Sequence, residues 1–323
     1  MTDNEAKRNG SEGRPNPNVP QIGQGLGSPT GITGHTKLVT LLGKPAFHSK
    51  SPETNTLAWR KLGIDAVFLA FEVDEDGLDD AMKGFKACDG WIGITVTMPL
   101  KQAIVPYMDR LSDVARIAQA VNIVVKEPDG SLSGYNSDGP GFMNNLYRRG
   151  FKPEGAVMTL VGPGGAGRAV MVQAALDGVG RINAFAREGG KSYNEATSMA
   201  QALAAETGCQ IDVLPYEDKA LLRECIQQSD VLVNGTNVGM GEGNTESPVA
   251  PDLIRPGMMV ADIVNTPRYT QMLKDAQKLG CTVVSGLEMN DQQAVVADRF
   301  RYGVDIPIGE VRAELDEFHA QNG

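Results

Sequence analysis

Periodic apolar positions are nearly absent from residues 1 to about 34, where Gly, Pro, Asn and Ser dominate, so this stretch reads as a disordered tail. The pattern then begins sharply. Lys37-Leu38-Val39-Thr40-Leu41-Leu42-Gly43 is an apolar run ended by glycine and predicts a buried strand. Ser51-Pro52-Glu53 supplies an N-cap, a first-turn proline and a first-turn acid for a helix running to about Leu62, where Gly63 stops it. Ala66–Val73 predicts a strand, Glu75–Ala87 a helix and Ile92–Met98 a strand. Pro99 starts a helix through about Met108, and Ser112 caps another through Ala120. Asn122–Lys126 and Ser131–Asn136 flank the turn signal Pro128-Asp129-Gly130 and predict a hairpin. Alternating strands and helices of this kind imply an α/β domain with a mostly parallel sheet.

A second α/β domain follows. Val157–Val161 is a short apolar strand, followed by a glycine-rich turn and a helix from about Gly165 to Leu176. Strand-like runs recur at Ile182–Ala186, Ile211–Leu214, Val231–Asn234, Met258–Ile263 and Thr282–Ser285, with helical stretches between them. That alternation predicts a doubly wound, Rossmann-like sheet. The stretch from Leu287 to His319 reads as helices that return to the first domain. The expected organisation is a tail over 1–34, a substrate domain over 35–137 completed by 287–323, and a dinucleotide domain over 138–286.

Composition narrows the function. A net charge of −10 argues against general affinity for nucleic acid or anionic membranes. No apolar run reaches the roughly 18 residues that span a bilayer, and no signal-peptide core opens the chain, so a cytoplasmic protein is expected. Cys88, Cys209, Cys225 and Cys281 are scattered and form no C-x-x-C pair, which suits reduced thiols. His35, His48 and His319 lie too far apart for a local metal motif, and no metal is expected.

Gly162-Pro163-Gly164-Gly165-Ala166-Gly167 fits G-x-G-x-x-G between a predicted strand and a predicted helix, the context that gives the pattern meaning. One glycine permits the tight turn, the next lets a pyrophosphate approach, and the helix N-terminus offers N–H groups to its charge. The residue that reads the ribose should stand at the end of the second strand. There, Glu188 suits the 2′-hydroxyl of NAD and Arg187 suits the 2′-phosphate of NADP. The acid favours NAD, because it would repel a phosphate.

Three further segments carry chemistry: His48-Ser49-Lys50-Ser51-Pro52, Thr95-Val96-Thr97-Met98-Pro99-Leu100-Lys101, and Gly134-Tyr135-Asn136-Ser137-Asp138-Gly139. With Ala120-Val121-Asn122, the glycine motif and Asn234-Gly235-Thr236-Asn237-Val238-Gly239-Met240, they resemble the shikimate/quinate dehydrogenase family, in the same order along the chain. The resemblance covers roughly residues 38 to 312 and looks closest to the branch acting on both quinate and shikimate. It implies two α/β domains and NAD(P)-dependent oxidation of a ring hydroxyl, or reduction of the 3-dehydro acid. It also implies a Lys101–Asp138 catalytic dyad. A lysine beside a nicotinamide can take the hydroxyl proton if partial burial and the start of a helix disfavour its ammonium form. Ser49 and Ser51 are implied for the substrate carboxylate, and Thr97, Asn122 and Gln293 for ring hydroxyls, with Gln292 competing for the last position. Asn237, Ile263 and Gly286 join the glycine motif as implied cofactor contacts. The partner expected is a small cyclic hydroxy-carboxylate, and the protein a monomer or homodimer.

Some positions depart from the family pattern. Asn265 stands where a substrate-reaching tyrosine is common, Glu288 replaces a second glycine near the nicotinamide, Asn290 and Asp291 replace apolar residues, and Ala186 replaces an asparagine. A polar wall near Glu288 would suit a ring acid with an additional hydroxyl or amino group. Two alternatives to the leading reading therefore stand: a dehydrogenase for another cyclic hydroxy acid such as an aminoshikimate, and a catalytically silent nucleotide-binding regulatory protein.

Overall fold

The computed structural model describes residues 31–322. The expected tail lies outside the described residues except for residues 31–34, and just after it Thr36 ties the chain entry to Asp65 by a 2.7 Å hydrogen bond. The chain divides into two compact units, one running through Ser137 and resuming at Ala294, the other comprising Asp138–Gln293. The return therefore falls at Ala294 rather than at Leu287.

The first unit contains β1 (Lys37–Gly43), α1 (Ser51–Lys61), β2 (Ala66–Glu72), α2 (Leu78–Lys86), β3 (Trp91–Val96), α3 (Leu100–Ala103), β4 (Arg110–Leu111), α4 (Asp113–Ala118), β5 (Ile123–Lys126) and β6 (Leu132–Tyr135). Its six described strands lie in the order β2-β1-β3-β5-β6-β4. β1 pairs in parallel with β2 and β3, and β4 with β6, while β3–β5 and β5–β6 are antiparallel. Trp59, Phe68, Val39 and Leu41 pack on one face with residues from the end of the chain, and Leu42, Trp91, Ile94 and Leu100 centre a second cluster. The buried Trp59 indole donates to Asp298 at 2.6 Å, and Arg301 pairs with the same carboxylate at 3.1 Å. A charge this deep is tolerated because it is paired and hydrogen-bonded.

The second unit begins with α5 (Asp138–Arg148) and continues through β7 (Val157–Val161), α6 (Gly165–Leu176), β8 (Arg181–Ala186), α7 (Lys191–Thr207), β9 (Gln210–Pro215), α8 (Lys219–Gln228), β10 (Val231–Asn234), β11 (Met259–Asp262), α9 (Gln271–Lys278) and β12 (Thr282–Val284). Its six strands are wholly parallel, in the order β12-β11-β10-β7-β8-β9. This is the doubly wound arrangement, with its switch point between β7 and β10. Helix α10 (Gly286–Tyr302) starts in this unit and ends in the first, and α11 (Ile308–Asn322) completes the chain.

One expectation fails locally, and one helix had no expectation. The helix expected through Met108 shrinks to the four residues of α3 followed by a 3-10 turn at Val105–Tyr107, because Pro106 has no N–H to continue it. Helix α5 spans a stretch for which the sequence pattern predicts no element, and Gly139, Pro140 and Gly141 lie in its first turn. The glycines are needed for close packing: a Cβ at Gly139 would overlap the Ala169 carbonyl of α6. Among the described residues no helix is long and apolar enough to cross a membrane, and no group of three His, Cys, Asp or Glu side chains is placed to hold a metal.

Candidate active site

In the first unit Thr97 and Asn122 stand where β3 ends and β5 begins, and Ser49 and Ser51 lie between β1 and the first turn of α1. Thr97 follows β3 directly, its N–H donating to Leu42 at 2.8 Å. Gly43 leaves room for it, since a Cβ there would overlap the Thr97 methyl. Asn122 is stitched to both neighbouring strands, its N–H donating to Tyr135 and its carbonyl accepting from Val96. Its side chain is fixed by Ser137, whose Oγ accepts from Nδ2 at 3.1 Å and whose N–H donates to Oδ1 at 2.8 Å. Ser137 is a positioning residue that the sequence held only as part of a motif.

Ser49 and Ser51 are both half-buried, and the Ser49 hydroxyl accepts from the Ser51 N–H at 3.2 Å. The N-cap position of α1 belongs to Lys50, which makes no side-chain cap bond. Ser51 is the first helical residue, so the capping role expected for it does not occur. Lys101 is half-buried on α3, and its carbonyl accepts from Val121 at 2.8 Å. A helix of four residues has little dipole.

The second unit holds the glycine turn. Gly162 has φ +87°, a conformation suited to glycine, and a Cβ there would overlap the Thr236 methyl. A Cβ at Gly167 would overlap the Gly162 carbonyl, so that glycine allows close helix–strand packing. Between them, a Cβ at Gly165 would meet nothing, and one at Gly164 only the Ser192 hydroxyl at 4.0 Å. The two packed glycines thus hold the two open ones, with Ala166, at the N-terminus of a twelve-residue helix. A dinucleotide pyrophosphate fits that cradle.

The strand ends around the turn carry the other expected cofactor residues. Arg187 and Glu188 are exposed just after β8, and the Glu188 N–H donates to the Glu217 carboxylate at 3.3 Å. Glu217 had no linear signal, because only the pairing of β8 with β9 brings it there. Asn237 is exposed on the loop after β10. Ile263 follows β11, and Gly286 lies so close to it that a Cβ would overlap the backbone of Ile263 and Val264. Asp262, also missed from sequence, accepts from Val264 N–H at 2.8 Å, Thr270 hydroxyl at 2.7 Å and Asn234 Nδ2 at 3.1 Å. Burial outweighs those donors and pushes its carboxyl up to about 6.

Asp138 opens α5 and is buried, and Gln293 Nε2 donates to it at 3.1 Å. Of the two adjacent glutamines it is Gln293 whose amide reaches Asp138. Glu288 is held by two cations. Its carboxylate takes Arg149 at 3.0 and 3.1 Å and Arg268 at 3.0 Å.

Comparison with known proteins bears directly on this arrangement. Residues 41–124 match the family model for the shikimate dehydrogenase substrate binding domain. A shikimate dehydrogenase (NADP+) of Listeria monocytogenes is 39% identical over 288 residues, 88% of this chain and 97% of the relative. The chain belongs to the shikimate dehydrogenase family. The crystal structure of a Listeria monocytogenes shikimate 5-dehydrogenase in complex with shikimate and NAD aligns with a TM-score of 0.83 and 38% identity, over 88% of this chain and 98% of that one. A ligand-free 5-ketofructose reductase of a Gluconobacter strain aligns at 0.76 and 28%, over 88% and 99%. Membership of the shikimate dehydrogenase family makes this chain an oxidoreductase and accounts for the order of the motifs along it.

Proposed function

We propose that the chain is a nicotinamide-dependent dehydrogenase that oxidises a ring hydroxyl of shikimate or quinate, or reduces the corresponding 3-dehydro acid. The observation that carries the cofactor half is the glycine turn, packed at Gly162 and Gly167 and open at Gly164 and Gly165. When bound, the nicotinamide accepts or donates the hydride. The remaining work falls to this chain's side chains. Ser49 and Ser51 offer hydroxyl donors to a carboxylate, and Thr97 and Asn122 offer hydrogen bonds to ring hydroxyls. A site built to pair each hydroxyl rejects analogues that lack one, because a buried donor left unpaired is costly. Lys101 takes the hydroxyl proton at its Nζ as the hydride leaves, and Asp138 orients the reacting group with Gln293 hydrogen-bonded to it. Arg187 and Glu188 stand at the ribose end, and we read the acid as favouring NAD over NADP.

The test is an absorbance assay at the nicotinamide band, with shikimate and quinate each paired with NAD+ and NADP+. Turnover with at least one pair is expected, and Lys101→Ala should lower kcat by about a hundredfold or more. Turnover that survives Lys101→Ala would remove the lysine from proton transfer. A second reading follows from the 28% identity to a 5-ketofructose reductase: a cyclic or keto polyol without a carboxylate. Failure of both ring acids together with turnover of such a polyol would establish it.

A further inference from the structure

The cofactor reading leaves one carboxylate unexplained. Glu217 follows β9 and lies outside the glycine motif and the segment after β8, yet it accepts the N–H of Glu188 at 3.3 Å. The residues on either side of it are anchored. Tyr216 N–H donates to Ala186 at 2.8 Å, closing the β8–β9 ladder, and Asp218 caps α8 by accepting from Leu221 at 2.9 Å. Lys219, the nearest cation in sequence, lies over the Tyr216 ring. On the other side, Gly190 N–H donates to Arg187 at 3.0 Å, which closes the Arg187–Gly190 turn.

In a doubly wound domain the end of the second strand is where a cofactor's adenosine ribose is read, and a 2′-phosphate there needs N–H groups and a cation. Here the Glu188 amide is committed to a carboxylate from the neighbouring strand. We propose that Glu217 is an internal anion that occupies the phosphate's place and, with the Glu188 side chain, selects NAD+ over NADP+. This rests on the dinucleotide reading of the glycine turn. A neutral 2′-hydroxyl can donate to a carboxylate. A 2′-phosphate would have to displace one carboxylate and lie against another, with Arg187 as the only cation of its turn to offset them.

The test is calorimetric binding of NAD+ and NADP+ to the full chain, wild type and Glu217→Gln, with no ring acid present. Glutamine keeps an acceptor for the Glu188 N–H, so the turn is retained while the charge is lost. Glu224→Gln on α8 removes an equal charge elsewhere on the surface of the same unit. Wild type should bind NAD+ more tightly. In Glu217→Gln the affinity ratio of NADP+ to NAD+ should rise about tenfold through tighter NADP+ binding, and the gain should shrink as salt is raised. Glu224→Gln should leave the ratio unchanged. A ratio that moves less than twofold in Glu217→Gln, or rises only through weaker NAD+ binding, would overturn the proposal and leave the cofactor reading standing. An equal rise in Glu224→Gln would reduce the effect to general surface charge and overturn it too. A wild type that binds neither dinucleotide would overturn both.

Discussion

Single residues differ widely in how much their surroundings ask of them. Asp262 has its carboxyl pushed from an ordinary 3.8 up to about 6 by burial. The folded chain therefore holds this proton more tightly than the unfolded chain does. Below about pH 3.8 both states are protonated and the site carries no penalty. Between 3.8 and 6 stability falls as pH rises, and above 6 the fall is complete, amounting to about 3 kcal/mol. Asp262→Asn should flatten that part of a denaturant-midpoint profile against pH, and equal slopes in both proteins would contradict the assignment. The thiols give a second check. Burial pushes Cys209 up to about 11 and also raises Cys225 and Cys281, while Cys88 is exposed. Native protein near pH 8 should take up about one equivalent of iodoacetamide, at Cys88, as peptide mass spectrometry would show.

Elements show more clearly where sequence reading succeeds. Strands β1, β7 and β10 and helix α6 coincide with their apolar runs because each is a largely buried segment bounded by turn residues. The glycine turn was readable for a related reason, since its residues are contiguous along the chain. Residues brought together only by pairing or packing were not: Glu217 beside Glu188, Ser137 on Asn122, and Asp262 under Asn234. Helix α5 was hidden because its glycines serve packing rather than turning. Gly139→Ala should therefore force α5 and α6 apart and cost about 1–3 kcal/mol, measurable as a lower Tm. Glu288 joins the end of α5, the loop after β11 and the start of α10 through Arg149 and Arg268, all partly solvent-exposed. Glu288→Gln should cost about 0.5–1 kcal/mol at low salt and less at high salt, the behaviour of a surface pair rather than a substrate contact.

At the scale of the whole molecule, the first unit owes much of its core to the far end of the chain. Val295, Tyr302, Ile306, Ile308 and Val311 are buried against Trp59, Phe68 and Val39. At about 1.5–3 kcal/mol each, removing them forfeits on the order of 10 kcal/mol, comparable to the stability of an ordinary domain. A chain ended at Gln293 should lose hydrogen-exchange protection in β1–β3 while keeping it in β7, β8 and β10. Protection retained in β1 would show that the first unit stands without its closing helices.

The same discontinuity orders events at the ribosome. The first unit emerges first but must wait, with Leu41, Trp59 and Phe68 short of their partners, until α10 and α11 have been made. The second unit is contiguous and has all six of its strands available once β12 has emerged. Folding order thus inverts synthesis order, and the later-made half is the first able to close. Until α10 appears this polypeptide carries an N-terminal segment of unfinished apolar surface, which makes that interval the period in which a chaperone has most to shield.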